Sequence, residues 1–403
     1  MATIPSTLVN VAEDAEIRLV SVLSESSNTL SVKDCEDCIS QGDAEKLLQI
    51  ITSDAAALQA FVTMDNTEEA TSCFAIIAAL VVKTGTEQSM VQKLAGGIIG
   101  VPNSSEAAVS RKLSLLSVLY NMQSEKVDTL TQMFLAAGSY PDVFLTEEST
   151  LGALLVTPDG DTALTPPAPR IVSYLDKWQT SVAARRKLLE AIASVLPDNR
   201  KQQFLLLLVQ SYGQDIDAAG RQAAVQAAVG VIRDPIGLFR QQRNLLSLPA
   251  IQTLEKEKPA LWTLLKIFQE GKLSDFQAYL QQSSGGSTLI QWGLDPASCE
   301  KHMRILSLCS LASEHEEIPY QVIADTLAIS PDAVEGQVIA ALNSGLLEAK
   351  MDQLTQKVMV ERCVVRKFDI EEWKGLQKRL QTWKNNVGGV LEALKQSKVA
   401  TAS

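Results

Sequence analysis

The sequence predicts a mostly α chain: an irregular right-handed helical-repeat solenoid, then a winged helix, then one C-terminal helix. Three observations carry that expectation. Apolar residues recur at three- and four-residue steps through most of residues 8–290. After residue 299 the helical pattern gives way to two runs of β-type composition. The last stretch holds an unbroken heptad of large apolar side chains. Composition agrees: aromatics are only 5%, while Ala, Leu and Gln, all good helix formers, are abundant.

The first apolar face uses Leu8, Val11, Ala12, Ile17, Leu19, Val20 and Leu23. A clearer one follows at Ala44, Leu47, Leu48, Ile51, Ala55, Leu58 and Phe61, read as one helix. Further helices are expected near 68–83, 86–100, 104–121 and 124–137. Gly85, Pro102, Asn103 and Gly138 mark the turns, and Ser104 is the expected N-cap of the third. Short helices joined by short turns pack as antiparallel neighbours, and repetition of that pairing gives an array. No strict repeat motif recurs, so irregular units are expected.

Segment 150–170 breaks the pattern. Its Pro158, Pro166, Pro167 and Pro169 forbid a continuous helix and predict a surface loop. Helical periodicity resumes at 171 and runs through the apolar stretch 204–209 to about 281. Ser283, Ser284, Gly285, Gly286 and Ser287 predict a flexible break. Helices over 299–313 and 320–327 come next. Ser330, Pro331 and Asp332 open a third, which Gly345 stops. Strands at 346–351 and 357–365 complete the order of a winged helix. The expected domains are 1–170, helical repeats with the Pro-rich loop; 171–298, further helical repeats; 299–368, the winged helix; and 369–397, the C-terminal helix.

Charge and cysteine usage narrow the function classes. The net charge is −11, and residues 1–70 carry thirteen carboxylates against Arg18, Lys33 and Lys46. An acidic chain repels a phosphate backbone at long range. Residues 1–40 of this acidic segment are expected to be dispensable for the fold of the rest, because arrays tolerate loss of terminal units. The six cysteines form no disulfide framework. Met1 to Asn10 lacks the basic-then-apolar order of a secretory leader, and the longest apolar run, 73–82, is half a membrane span. A reducing compartment is expected, with no membrane partner.

Catalytic chemistry finds no constellation. Cys35 and Cys38 form a C-x-x-C with no second ligand pair to complete a zinc site. Asp34, Glu36 and Asp37 disfavour the thiolate that a redox pair needs. His302 and His315 lack a nucleophile elbow nearby. Gly96-Gly97-Ile98-Ile99-Gly100 misses both phosphate-binding glycine fingerprints. No enzyme, cofactor or metal is expected. The third winged-helix helix, 331–344, has Asp332 and Glu335 and neither Lys nor Arg. Reading DNA normally needs those cations, so protein docking is expected instead.

The strongest signal lies in the last helix. Trp373, Leu376, Leu380, Trp383, Val387, Val390 and Leu394 step by three and four residues without interruption. Asp369 and Glu372 suit a capping box, and Gly388-Gly389 weaken the later turns. Lys374, Lys378, Arg379 and Lys384 lie off the seam. The seam either folds back on its own winged helix or joins helices of other chains. Two tryptophans favour the second.

A helical array running into a winged helix resembles the PCI-domain family, whose members are subunits of the proteasome lid, the signalosome and translation initiation factor three. Residues 271–280, Gly-Lys-Leu-Ser-Asp-Phe-Gln-Ala-Tyr-Leu, resemble the helix that feeds the winged helix there. Ser211-Tyr212, Arg233-Asp234-Pro235, the span 245–251, Lys350-Met351-Asp352-Gln353 and the Trp373 to Val387 seam resemble the initiation-factor-three branch. That resemblance implies partners among the other PCI and MPN subunits, whose C-terminal helices gather into a bundle. It also implies a cytoplasmic, non-catalytic role on the small ribosomal subunit, exerted through the complex. A lid or signalosome subunit is the nearest alternative; a nucleic-acid adaptor of messenger export is a different class.

Overall fold

The computed structural model describes residues 15–26, 31–64, 66–84, 87–122, 126–157, 168–213, 216–240, 245–282, 285–366 and 370–401. The chain falls into two compact units, Met1–Ala223 and Ala224–Ser403.

The first unit is a run of helices that pack on near neighbours in sequence. Ala15–Ser26, Val32–Gln41, Ala44–Ser53 and Ala55–Thr63 lead into the long Thr67–Thr84. Glu87–Ile99, Glu106–Met122 and Val127–Ala137 follow, and Arg170–Lys177, Val182–Val195 and Asp198–Gln210 continue the run. Thr67–Thr84 packs on both Ala44–Ser53 and Glu106–Met122, and Val182–Val195 packs on Val127–Ala137 and Asp198–Gln210. Thr67–Thr84 is buried almost all round, as its nearly uniform apolar sequence requires. Its Phe74 meets Phe61 edge to face at 5.8 Å.

Local chemistry explains where helices break. The stretch read as one helix over 44–61 is two. Asp54 adopts an extended backbone between them, and its carboxylate accepts from the amides of Ala56 and Ala57. A good N-cap inside an apolar pattern splits the helix without disturbing its periodicity. Similarly, Ser105 rather than Ser104 caps Glu106–Met122, accepting from the Ala108 amide at 3.2 Å. Val32–Gln41, which the sequence reading passed over, buries Cys35 and Cys38 and ends on Gly42 at φ 69°. The prolines at 158, 166 and 167 lie outside the described residues; Pro169 precedes Arg170–Lys177.

In the second unit, Pro235–Arg240, Pro249–Gln252 and Leu254–Glu257 precede Pro259–Glu270 and Leu273–Gln281, with Phe268 and Phe276 edge to face at 5.6 Å. Gly285 and Gly286 open a short helix, Gly285–Gln291, where a break was expected. Neighbours bury Thr288 and Leu289, and that burial outweighs glycine's poor propensity. The winged helix comprises Pro296–Glu314, Tyr320–Leu327 and Val334–Asn343, the last entered through a 3-10 turn at Pro331–Ala333. Gly345 takes φ 73° after it. Strands β1 (Glu317–Pro319), β2 (Leu347–Asp352) and β3 (Lys357–Cys363) form an antiparallel sheet in the order β1-β3-β2. Strand β1 was not anticipated, because three residues ending in proline give no periodic signal; it buries Ile318 opposite Val358. The helical repeats, winged helix and C-terminal helix are thus present, and among the described residues no helix is long and apolar enough to cross a membrane.

The N-terminal helix is not an idle end. Leu19 and Leu23 are fully buried, and their helix packs on Val32–Gln41 and Thr67–Thr84. The expectation that the first forty residues are dispensable therefore changes. Leu23→Ala is expected to cost about 2–5 kcal/mol in urea unfolding of the first unit. Deletion of residues 1–40 is expected to leave a less stable chain with new apolar surface, read by dye binding.

Candidate partner interface

The third helix of the winged helix sits where such modules present their reading surface. Val334, Val338 and Ala341 point into the module's core and are fully buried. Ile339, on the same helix, is 46% exposed. It shares the open face with Gly336 and Asn343. Glu335 is held at its start: the Tyr320 hydroxyl donates to Oε1 at 3.4 Å and Gln353 Nε2 to Oε2 at 3.2 Å. A carboxylate thus ties the helix to the tip of the β2–β3 hairpin, where an anion-binding module would carry a cation.

The sheet's cations are spent on carboxylates. Lys350 meets Glu361 at 2.5 Å, Lys357 meets Glu317 at 3.1 Å and Arg362 meets Glu348 at 3.5 Å. These exposed pairs contribute little stability, but each neutralises a charge a phosphate would need. The hairpin tip is fixed by Asp352, whose Oδ1 accepts from the amides of Leu354 and Thr355 at 3.0 and 3.3 Å. The Thr355 side chain, then those amides, hold its carboxyl below the usual range. Leu354, 98% exposed, stands at the tip.

The terminal helix, Ile370–Thr401, runs unbroken through Gly388 and Gly389. Six of the seven seam residues are described and all are exposed, from 39% at Leu376 to 70% at Trp383; Trp373, Leu380, Val387 and Val390 lie between. The Leu394 side chain and Asp369 are outside the described residues. Ile370 and Leu391, at 72% and 50%, widen the apolar face. The sequence reading missed both, although Leu391 lies four residues beyond Val387, a spacing that shares a helix face. Lys374, Lys378, Arg379 and Lys384 are exposed beside it. Soluble proteins seldom leave a contiguous apolar stripe of this length open to water.

The cysteine and histidine candidates sit elsewhere. Cys35 and Cys38 are buried one turn apart in Val32–Gln41. Burial, then Cys38, Asp34 and Glu36, push the Cys35 thiol up. His302 is half-buried in Pro296–Glu314, where burial pushes its pKa down and Asp234 opposes. His315 is exposed just after that helix.

Comparison with known proteins matches this geometry. Residues 287–362, from within Gly285–Gln291 to the end of β3, match the PCI domain family model. Immediately after it, residues 366–394 match the model described as the eIF3 subunit M, C-terminal helix. Relatives named eukaryotic translation initiation factor 3 subunit M include one from Dictyostelium discoideum, 32% identical over 57% of this chain and 58% of its own length. One from Phaeosphaeria nodorum is 28% identical over 71% of this chain and 63% of its own. One from Nematostella vectensis is 28% identical over 71% and 70%. The matched stretch thus spans less than two thirds of the first two relatives.

The charge pattern of the winged helix yields a measurable expectation. In fluorescence anisotropy at physiological salt, the full chain should bind labelled duplex or single-stranded RNA no more tightly than about 10⁻⁴–10⁻⁶ M, the range of non-specific binders. Sub-micromolar binding that Glu335→Gln strengthens would assign the third helix to nucleic acid.

Proposed function

We propose that this chain is a non-catalytic scaffold subunit of translation initiation factor three. In this reading the PCI domain and helical repeats join other PCI and MPN subunits, and the complex they build in the cytoplasm supports initiation on the small ribosomal subunit. The observation that carries the reading is the terminal helix. Its sequence matches the C-terminal helix of subunit M, and its apolar seam lies exposed. An amphipathic helix exposed on this scale gains by packing on another helix. Trp373, Leu376, Leu380, Trp383, Val387, Val390 and Leu394 are assigned as the contact. Buried tryptophan anchors commonly cost about 2 kcal/mol or more on truncation. Ribosome contact is assigned to the complex rather than to a nucleic-acid surface on this chain, in keeping with the paired cations of the sheet.

The test is affinity purification of the tagged full chain with mass spectrometry. Initiation-factor-three subunits are expected to co-purify; lid or signalosome subunits would replace the reading with its nearest alternative. The double substitution Leu376→Asp, Leu380→Asp is expected to leave the melting curve unchanged and to remove those partners. Normal recovery of partners by the folded double variant would take the assembly role away from this helix.

A further inference from the structure

Arg366 is the last described residue before the terminal helix, and its side chain turns back into the fold. Nη1 donates to the carbonyls of Gly271 at 2.9 Å and Leu306 at 3.2 Å and to Ser310 Oγ at 2.9 Å. Nη2 donates to the carbonyls of Phe268 at 2.8 Å and Ile267 at 3.5 Å. The guanidinium lies 5.7 Å from the Phe239 ring centroid. One side chain thus touches Pro235–Arg240, the end of Pro259–Glu270, the Gly271 connection and Pro296–Glu314.

The acceptors explain why an arginine is used. A helix ends with carbonyls that lack intrahelical partners and with a partial negative charge. Ile267 and Phe268 belong to that last turn of Pro259–Glu270. A planar fork reaches carbonyls on several segments at once, which the compact ammonium of lysine does not. Gly271 permits the close approach: a Cβ there would lie 2.8 Å from the Ile267 oxygen and 2.9 Å from its Cα. Burial pushes the Arg366 pKa down to about 10, so the group stays charged at neutral pH.

Two observations link this clasp to the terminal helix. Only three residues separate Arg366 from Ile370, so the helix starts within roughly 14 Å of the clasp. Arg379, about two and a half turns into the helix, also acts electrostatically on Cys363 at the end of β3, opposing the upward push of burial on that thiol.

We propose that Arg366 is a positioning residue for assembly: by clasping the carbonyls of Pro259–Glu270 and Pro296–Glu314, it fixes where and in what direction the terminal helix leaves the winged helix. The seam then meets its partners already oriented, which lowers the ordering cost of docking. The orienting role stands on the chain's own geometry. Its consequence for assembly rests on the function proposed above.

The experiment separates the two. Nitroxide labels at Leu354→Cys and Gln381→Cys, both exposed positions, report the distance between hairpin tip and terminal helix by pulsed electron paramagnetic resonance on the full chain. A narrow distribution is expected. Four glycines inserted after Arg366 leave the clasp intact, so the melting temperature should hold while the distribution broadens by on the order of 10 Å. Arg366→Met should broaden it too; if that variant fails to fold, Arg366→Lys, which keeps the charge but loses the fork, decides in its place. A folded Arg366 variant with the wild-type distribution, or an insertion that leaves it narrow, would overturn the proposal. Recovery of initiation-factor-three subunits by the insertion variant is the second readout. It should fall, and full recovery despite a broadened distribution would overturn the consequence for assembly while leaving the orienting role standing.

Discussion

A chain made of many short helices must satisfy many helix ends, and this one does so with cations. Each helix leaves its last four carbonyls without intrahelical donors. In an array most of those ends meet another helix instead of water. Arg111 donates to the Met64 carbonyl at 2.6 Å, just past Ala55–Thr63. Lys112 donates to the Val101 carbonyl, past Glu87–Ile99, and to Asn103 Oδ1 at 2.6 Å. Arg186 donates to the Ser211 carbonyl at 2.9 Å and lies 3.9 Å from the Tyr212 ring centroid. Arg200 donates to Leu145 at 2.7 Å. Arg366 does the same in the second unit with four carbonyls.

At Lys112 such a contact carries the cost of burying a charge. Its side chain is 1% exposed, and burial pushes its pKa down. An isolated buried cation is unfavourable by several kcal/mol, so it persists only where its donors are used. The helix-end dipole and the carbonyls supply that use at both levels, charge and hydrogen bond. The resulting contacts are directional, whereas the Leu, Ile and Val packing around them is not. They fix which turn lies against which helix, and the apolar core then fills the space.

Helical periodicity, the order of winged-helix elements and the terminal seam were all legible in the residues, because each rests on a repeat along the chain. Asp54 and Ser105 show what such patterns omit: a cap is decided by one backbone conformation, and two adjacent candidates look alike in sequence. Strand β1 shows a second limit, since Glu317–Pro319 owes its existence to pairing with β3, forty residues on. Gly285 and Gly286 show a third, where neighbours overrule propensity. Arg366 shows the deepest one. Nothing in the local sequence distinguishes it from the exposed Arg362, and its acceptors lie 56–99 residues away.

The terminal helix is where the rule of the array runs out. The long helices of the first unit bury apolar side chains on neighbours in the same chain, while this one holds Trp383, Val387 and Val390 at 61–70% exposure. A seam of that kind costs free energy in water for as long as it stays open. Among the described residues, none of its side chains belongs to the core that holds the winged helix together. That separation is what a docking element needs. In the role proposed for it, Arg366 adds orientation at the root of that element.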